Sequence, residues 1–424
     1  MNTDGFWDSV SDMKVALFAP YLTPASGGIW QFYQWAAKQL GTKFSLLLFA
    51  PALLLEETRK GGGEIASGVI AEEFRSSVEK TIAYRILEDQ ACGRIGGMWV
   101  PFYRKLSRRI KRSFFDGSVV EHAACMLLKQ EGIDVVHIPV QCVQMPRAVK
   151  RFPYIINPHD FQHEYFPEFF TPKTLEIRRT VWYEDQRGAS AVVVHSRQTQ
   201  ADAIKYPGIP GERVFYAPYG PLDNFPEPDA ADLREAVRTF SLPERFVFFP
   251  ARTWPHKNHL ALVEAIHYLK KRGIDVNAVF TFVDSKHGEV VKQKIAATGL
   301  EKQVIIVGRV SPEQMGALYK LCTMVVVPSM FEQNSGPVLE AIHFGKAVAV
   351  SRIEEVVLAL DGSGLLFDPR SVQEIADAID RLWSSQDTLE KAEARIRERR
   401  SRMSWEPFRE AYRQAYSYAL QEAS

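Results

Sequence analysis

Residues 324–351 read MVVVPSMFEQNSGPVLEAIHFGKAVAVS. Met324 to Val327 is an unbroken run of β-favouring apolar residues that stops at Pro328. Such a run lacks the alternation of a half-exposed strand and predicts a strand covered on both faces. Gly336-Pro337 marks a helix start, since proline is tolerated at the first helical positions. Ala347 to Val350 then reads as a second buried strand. Strand, loop, helix, strand in this order is a βαβ unit, and it implies a parallel sheet.

The same alternation runs outward in both directions. Arg245 to Pro250 (RFVFFP), Asn277 to Val283 and Val304 to Val307 are predicted strands upstream. Further upstream lie Lys14 to Ala19, Asp134 to Ile138, Tyr154 to Asn157 and Ala191 to His195. Trp30 to Leu40 carries apolar residues at 30, 33, 36, 37 and 40, a helix face. Ser311-Pro312-Glu313-Gln314 predicts a capped helix start, with Ser at the N-cap and Gln three residues on. Between Pro218 and Pro243 the chain is rich in Pro and Asp, and it reads as a linker and hinge near 220–242. The expected division is 1–222 and 223–403, with a final helix over 404–424 crossing back onto the first domain.

Composition bounds the function. The 424 residues are 46% hydrophobic and 24% charged, values of a globular chain and not of a disordered one. Lys plus Arg is 52 against 51 for Asp plus Glu, so the global basic excess of a dedicated nucleic-acid binder is missing. Cys92, Cys125, Cys142 and Cys322 form no C-x-x-C, which argues against a zinc site or disulfide framework and for a reducing compartment. No run of about 18 apolar residues and no leader pattern is read, so a cytoplasmic protein is expected.

Two stretches carry chemistry. PARTWPHKNH at 250–259 lies between a strand and a helix and places Arg252 and Lys257 in one turn. Two cations beside a helix N-terminus suit a diphosphate, although the same charges suit a solvated turn. In 328–341, Glu332 falls in the loop and Glu340 is expected in the first helical turn. Carboxylates accept hydroxyl hydrogen bonds, while the amides of Gln333, Asn334, Ser335 and Gly336 would face an anion. Acidic residues also favour first turns for electrostatic reasons alone.

Together these stretches resemble the family-4 retaining glycosyltransferases. Glu332 and Glu340 match that family's E-x7-E motif, and Arg252 to Asn258 its donor-phosphate loop in a bacterial WPHKN form. NPHDFQHEYFPEFF at 157–170 and GSGLLFDP at 362–369 are similar too. Gln333 to Pro337 depart from the family's G-F-G-L-P, and Ala251 from its usual Gly. The resemblance implies an α/β GT-B fold, two Rossmann-like doubly wound domains facing each other across a cleft. The first would be acceptor-side and the second would bind a nucleotide-sugar donor, with the active site in the cleft.

The implied catalytic residues are His159 and Glu332. Arg252, Lys257, Gly27 and Gly28 would meet the donor phosphates, and Gln333, Asn334, Ser335 and Gly336 the donor sugar. Glu340 would hold the ribose, and Arg309 and Val310 the nucleobase. Both carboxylates are expected at a solvated cleft. His137 and His195 read as packed histidines, a reading also available to His159. No cofactor and no essential metal are expected, because no D-x-D occurs and Arg, Lys and a helix N-terminus can take the metal's role.

The implied partners are a GDP- or UDP-sugar donor and a glycan or lipid-linked acceptor, in bacterial surface polysaccharide or glycolipid assembly, with no nucleic acid. WVPFYRKLSRRIKRSFF at 99–115 is basic and amphipathic. It suits either peripheral contact with the inner face of the plasma membrane or an ordinary helix with a solvated face. A catalytically inactive sugar-nucleotide-binding subunit and a nucleotide-sugar epimerase are the alternatives.

Overall fold

The computed structural model describes residues 13–19, 28–50, 56, 58, 67–70, 125–140, 149–222 and 226–422. The chain forms two compact units. Met1–His195, Thr199–Pro218 and Glu406–Ser424 make the first, and Ser196–Gln198 with Tyr219–Trp405 make the second. The basic stretch 99–115 and Gly27 lie outside the described residues.

In the first unit the strands are β1 (Lys14–Phe18), β2 (Ser45–Ala50), β3 (Ser67–Ile70), β4 (Val135–Ile138), β5 (Tyr154–Ile156), β6 (Ala191–Val194) and β7 (Val214–Tyr216). Helix α1 (Gly28–Gly41) follows β1, so Gly28 opens a helix. In the second unit the strands are β8 (Val247–Phe249), β9 (Ala278–Phe280), β10 (Val304–Ile306), β11 (Met324–Val327), β12 (Val348–Ser351) and β13 (Leu365–Phe367). Its helices are α2 (Ala230–Phe240), α3 (His259–Lys271), α4 (Lys286–Ala297), α5 (Pro312–Leu321), α6 (Gly336–His343), α7 (Glu354–Leu360), α8 (Val372–Trp383) and α9 (Gln386–Arg402). Helix α10 (Glu406–Gln421) returns to the first unit.

Both sheets are parallel at every described pairing. Their strand orders are β3-β2-β1-β4-β5-β6-β7 and β10-β9-β8-β11-β12-β13. The central strands Val247–Phe249, Met324–Val327 and Val348–Ser351 are buried throughout, which is why they read as continuous apolar runs. In each sheet the order reverses once, between β1 and β4 and between β8 and β11. Loops leaving the carboxyl ends of strands at such a reversal diverge to opposite faces and leave a crevice for ligands.

The stretch expected to be a linker is partly structured. Asp229 caps α2, accepting from the amides of Ala231 and Asp232, while Asp232 returns a bond to the Asp229 amide. Ala236 is buried in the second unit's core, and Leu233 and Phe240 pack against it. The aspartates that resemble linker composition are therefore capping groups. The capping box at Ser311 and Gln314 is formed as the spacing predicts.

Helix α10 lies along β4 to β7 and buries Phe408, Ala411, Tyr412, Ala415, Tyr416 and Ala419. A buried polar network joins it to the sheet. His137 Nε2–H donates to Asn157 Oδ1 at 2.5 Å, and its Nδ1 faces the Tyr416 hydroxyl at 2.8 Å. Asn157 Nδ2 donates to Val193 O and to the Tyr412 hydroxyl, both at 2.8 Å. His195 Nδ1–H donates to Ala217 O at 2.8 Å, and its ring stacks on Phe408 at 5.8 Å. Burial holds His137 down at about 4 and His195 at about 3, so both are neutral at pH 7.

Because Phe408 is fully buried, Phe408→Ala removes an aromatic side chain that the sheet cannot collapse around. A loss of about 3 kcal/mol is expected. Urea denaturation of the variant checks it, and an unchanged midpoint contradicts the packing role of α10.

Candidate functional site

In the second unit the loops after β8 and β11 adjoin the sheet's reversal point. The first loop is short and internally bonded. Trp254 N–H donates to Arg252 O, Lys257 N–H to Trp254 O, and a tight turn covers Pro255–Lys257. Asn258 then takes the left-handed conformation, with φ 60°, and starts α3. Asparagine tolerates that conformation better than most residues. Its amide donates to Pro328 O at 3.0 Å and Pro369 O at 2.8 Å, tying the loop to the ends of β11 and β13.

The two loops also bond directly. Met330 N–H donates to His256 O at 2.7 Å, and Lys257 Nζ donates to Glu332 Oε1 at 2.7 Å. The Lys257 and Glu332 side chains are 19% and 5% exposed, so the ion pair is largely withdrawn from water. Glu332 does not stand in the solvated environment expected of it. Arg252 is on the same loop and exposed.

Ser335 occupies the N-cap of α6 without capping it, and Pro337 lies in the first turn. Pro337 has no N–H, and the Val338 and Leu339 amides both donate to Ser335 O at 3.1 Å, so of the first-turn amides only that of Gly336 is not turned back on Ser335. Among the described residues, the buried hydroxyl oxygens of Ser329 and Ser335 have no hydrogen-bond partner. Leaving such a group unsatisfied costs about 1–3 kcal/mol. The orphaned hydroxyls of Ser329 and Ser335, beside the positive end of α6, make the end of β11 a place suited to an anionic or polyhydroxylated ligand.

Glu340 is the fifth residue of α6, just past the first turn in which its spacing would place it. It too is buried, at 8% exposure, and is not solvated. Its side chain runs back along the helix, so that a Cβ built on Gly336 would lie 3.7 Å from Oε1. Its other oxygen accepts from the Tyr319 hydroxyl at 2.6 Å. Tyr319 belongs to α5, is fully buried, and stacks on Phe344 with rings 5.3 Å apart. Burial raises the Glu340 carboxyl to about 7, with the Tyr319 hydrogen bond pulling the other way. Sequence reasoning missed Tyr319, whose hydroxyl is inconspicuous in the apolar run GALYKL; only the need of any buried hydroxyl for a partner hints at it.

Arg309 and Val310 lie between β10 and α5 after Gly308, which has φ 71°. Arg309 is exposed, and Val310 packs partly on the core. On the edge of the β8 loop, Thr253 and Ser285 share a 2.6 Å hydroxyl contact, and Ser285 caps α4. Gln333 and Ser335 are buried, with Asn334 between them. Thus Lys257 and Glu332 are brought into contact, and Gly336 and Glu340 lie side by side.

His159 belongs to the first unit, beyond β5. Its Nε2–H donates to Pro139 O at 2.8 Å, and its ring meets Phe32 edge-on at 5.1 Å. Burial lowers its pKa. Pro139 follows β4, so His159 stands at the reversal point of the first sheet.

Residues 234–400 match the model of the family "Glycosyl transferases group 1", a span that includes both loops and α6. The chain is 24% identical over 255 residues to the serotype-specific mannosyltransferase WbdA of Escherichia coli. That match covers 57% of this chain but only 29% of WbdA. A glycosyltransferase from Rickettsia africae superimposes with a TM-score of 0.66 at 15% identity, covering 97% of this chain and 99% of that one. Anabaena HepE, solved with UDP and glucose, gives 0.65 at 17% identity over 94% of this chain and 97% of its own. At these identities the likeness establishes the fold, which is the two-domain α/β GT-B fold.

A carboxyl whose pKa is raised by folding binds its proton more tightly in the native state. Its stabilising contribution is present below the ordinary value of 4.5 and is lost as pH climbs to about 7. The loss is on the order of 3 kcal/mol. Glu340→Gln removes the titration and keeps an acceptor for Tyr319. The variant should therefore lose less melting temperature than the wild type between pH 5.5 and 8.5. Parallel pH profiles would show that Glu340 is not a buried titrating group.

Proposed function

We propose that the chain is a retaining glycosyltransferase. It would move a sugar from a nucleotide-diphosphate donor to a hydroxyl of a glycan or lipid-linked acceptor. The observation that carries this reading is the meeting of Lys257 and Glu332 at 2.7 Å, beside the N-terminus of α6, at the reversal point of a parallel sheet. The similarity of 234–400 to glycosyl transferases group 1 supports it. Relatives named as mannosyltransferases and a neighbour solved with UDP and glucose support a sugar donor on a nucleoside diphosphate, with UDP and GDP both open.

In this reading Arg252, Lys257 and the amides of 333–336 neutralise the diphosphate as it leaves. The C1–O bond to phosphate breaks while the acceptor oxygen bonds to C1 from the same face. The acceptor's proton passes to the departing phosphate oxygen. Glu332 serves two purposes: it holds the Lys257 ammonium in place and offers its remaining oxygen to donor-sugar hydroxyls. Its negative charge also favours the oxocarbenium character developing at C1. Glu340 holds the ribose diol, Arg309 and Val310 border the base, and His159 and Gly28 keep the sugar and phosphate roles that the family resemblance implies. Cationic side chains and the helix dipole take the part a divalent ion plays elsewhere. The expected setting is bacterial surface polysaccharide or glycolipid assembly on the cytoplasmic side. No helix among the described residues is long and apolar enough to cross a membrane.

Assays of purified protein against UDP- and GDP-sugars, with and without EDTA, test the reading. Transfer or donor hydrolysis supports it, and binding without turnover would favour an inactive sugar-nucleotide-binding subunit. Lys257→Ala should lower kcat/KM at least about tenfold, since a charge-assisted contact is worth about 1.5–3 kcal/mol. Glu332→Gln should lower kcat more than it raises donor KM. Glu340→Gln should do the reverse, because a ribose contact is the same in ground and transition states. Identical kinetic signatures for the two glutamine variants would undo this division of roles.

A further inference from the structure

The geometry points to Tyr319 as the positioning residue that holds Glu340 in the form and orientation needed to bind a vicinal diol. The inference rests on the reading of Glu340 as the ribose carboxylate and adds how that carboxylate is kept competent. Two facts carry it. The Tyr319 hydroxyl donates to Glu340 Oε2 at 2.6 Å, while Oε1 lies toward Gly336 and the opening of α6. Tyr319 itself cannot swing away. It is fully buried, stacked on Phe344 and set edge-on to Phe248 at 5.0 Å. One carboxylate oxygen is thus clamped from the core, and the other lies toward Gly336, the residue that follows the orphaned Ser335 hydroxyl in sequence.

The clamp also governs protonation. A diol donates two hydrogen bonds, so the deprotonated carboxylate is the binding form. Burial favours the protonated form of Glu340, and the Tyr319 bond opposes that. Burial and the Tyr319 hydrogen bond are the influences found on the Glu340 carboxyl, and of the acidic pair on α7, which packs on α6, Glu355 accepts from the Gln198 amide. From α5 it faces Tyr319. On its own helix His343 turns to Leu222 O and stands 3.6 Å from Glu227. Arg400 of α9 is directed to His343, and in the preceding loop Glu332 is paired with Lys257. Tyr319 is the group placed to keep Glu340 ionised.

The experiment is calorimetric titration of the full chain with UDP and GDP and with their 2′,3′-dideoxy forms, from pH 5.5 to 9. In the wild type the ribo form should bind more tightly, with the difference growing as pH rises through about 7. Tyr319→Phe should fold, since only the hydroxyl is removed. It should reduce the ribo-over-dideoxy preference about tenfold at pH 7 and move the midpoint of the preference upward by about one pH unit. Dideoxy binding should be unchanged. A wild-type preference that Tyr319→Phe leaves intact, with the same midpoint, overturns the role of Tyr319 while the ribose reading stands. No wild-type preference overturns the ribose reading, and this inference with it. A loss in Tyr319→Phe that is equal for ribo and dideoxy ligands marks a structural residue and also overturns the inference. Should Tyr319→Phe melt early, Glu340→Gln supplies the second check: its preference must be small and independent of pH. A pH-dependent preference surviving in Glu340→Gln overturns the clamp.

Discussion

The second unit's site depends on a single left-handed residue. Asn258 must leave the β8 loop and start α3 in one step, and it does so at φ 60°. From there one amide reaches the carbonyls of two prolines, Pro328 and Pro369, at the ends of β11 and β13. Neither carbonyl can be served by a strand neighbour once the chain leaves the sheet, so a side-chain donor is needed. The result is that the cationic loop and the acidic loop are fastened to one another before any side chain of the site is considered. The close approach of Lys257 to Glu332 follows from that fastening.

Buried polar groups are answered differently around α10 and at the end of β11. Around α10 in the first unit, the bonds of His137, Asn157 and His195 end on carbonyls and tyrosine hydroxyls. Such a network fixes packing and register. At the reversal point of the second sheet the arrangement is left incomplete. Two serine hydroxyls lack partners, α6 begins uncapped, and a carboxyl sits where its charge is disfavoured.

The alternation of apolar runs with amphipathic stretches was enough to read two parallel sheets, because strands buried on both faces have no polar positions to blur them. The Ser311 capping box was legible for a similar reason, being local chemistry with a fixed spacing. Local chemistry also misled. The Pro- and Asp-rich stretch around 229 has the composition of a linker, yet its aspartates cap a helix. The positions of Arg252, Lys257, Glu332 and Glu340 on strand-end loops and on α6 could be inferred from spacing. Their burial could not, because it depends on how the two loops cover one another. Tyr319 was invisible for the same reason: its partner lies 21 residues away, and only the fold brings the hydroxyl to the carboxyl.

The first unit is discontinuous in sequence, and this sets an order on its birth. Strands β4 to β7 are complete once the ribosome has passed Tyr216, but the helix that covers them begins at Glu406. At about 5–20 residues per second, roughly 10 to 40 seconds of synthesis separate the two. Throughout that interval the surface destined for Phe408, Tyr412 and Tyr416 faces water or a chaperone. The second unit, Ser196–Gln198 with Tyr219–Trp405, has its whole core available before α10 exists. The nascent chain therefore finishes its later-encoded half first, and the half that begins at the N-terminus closes last.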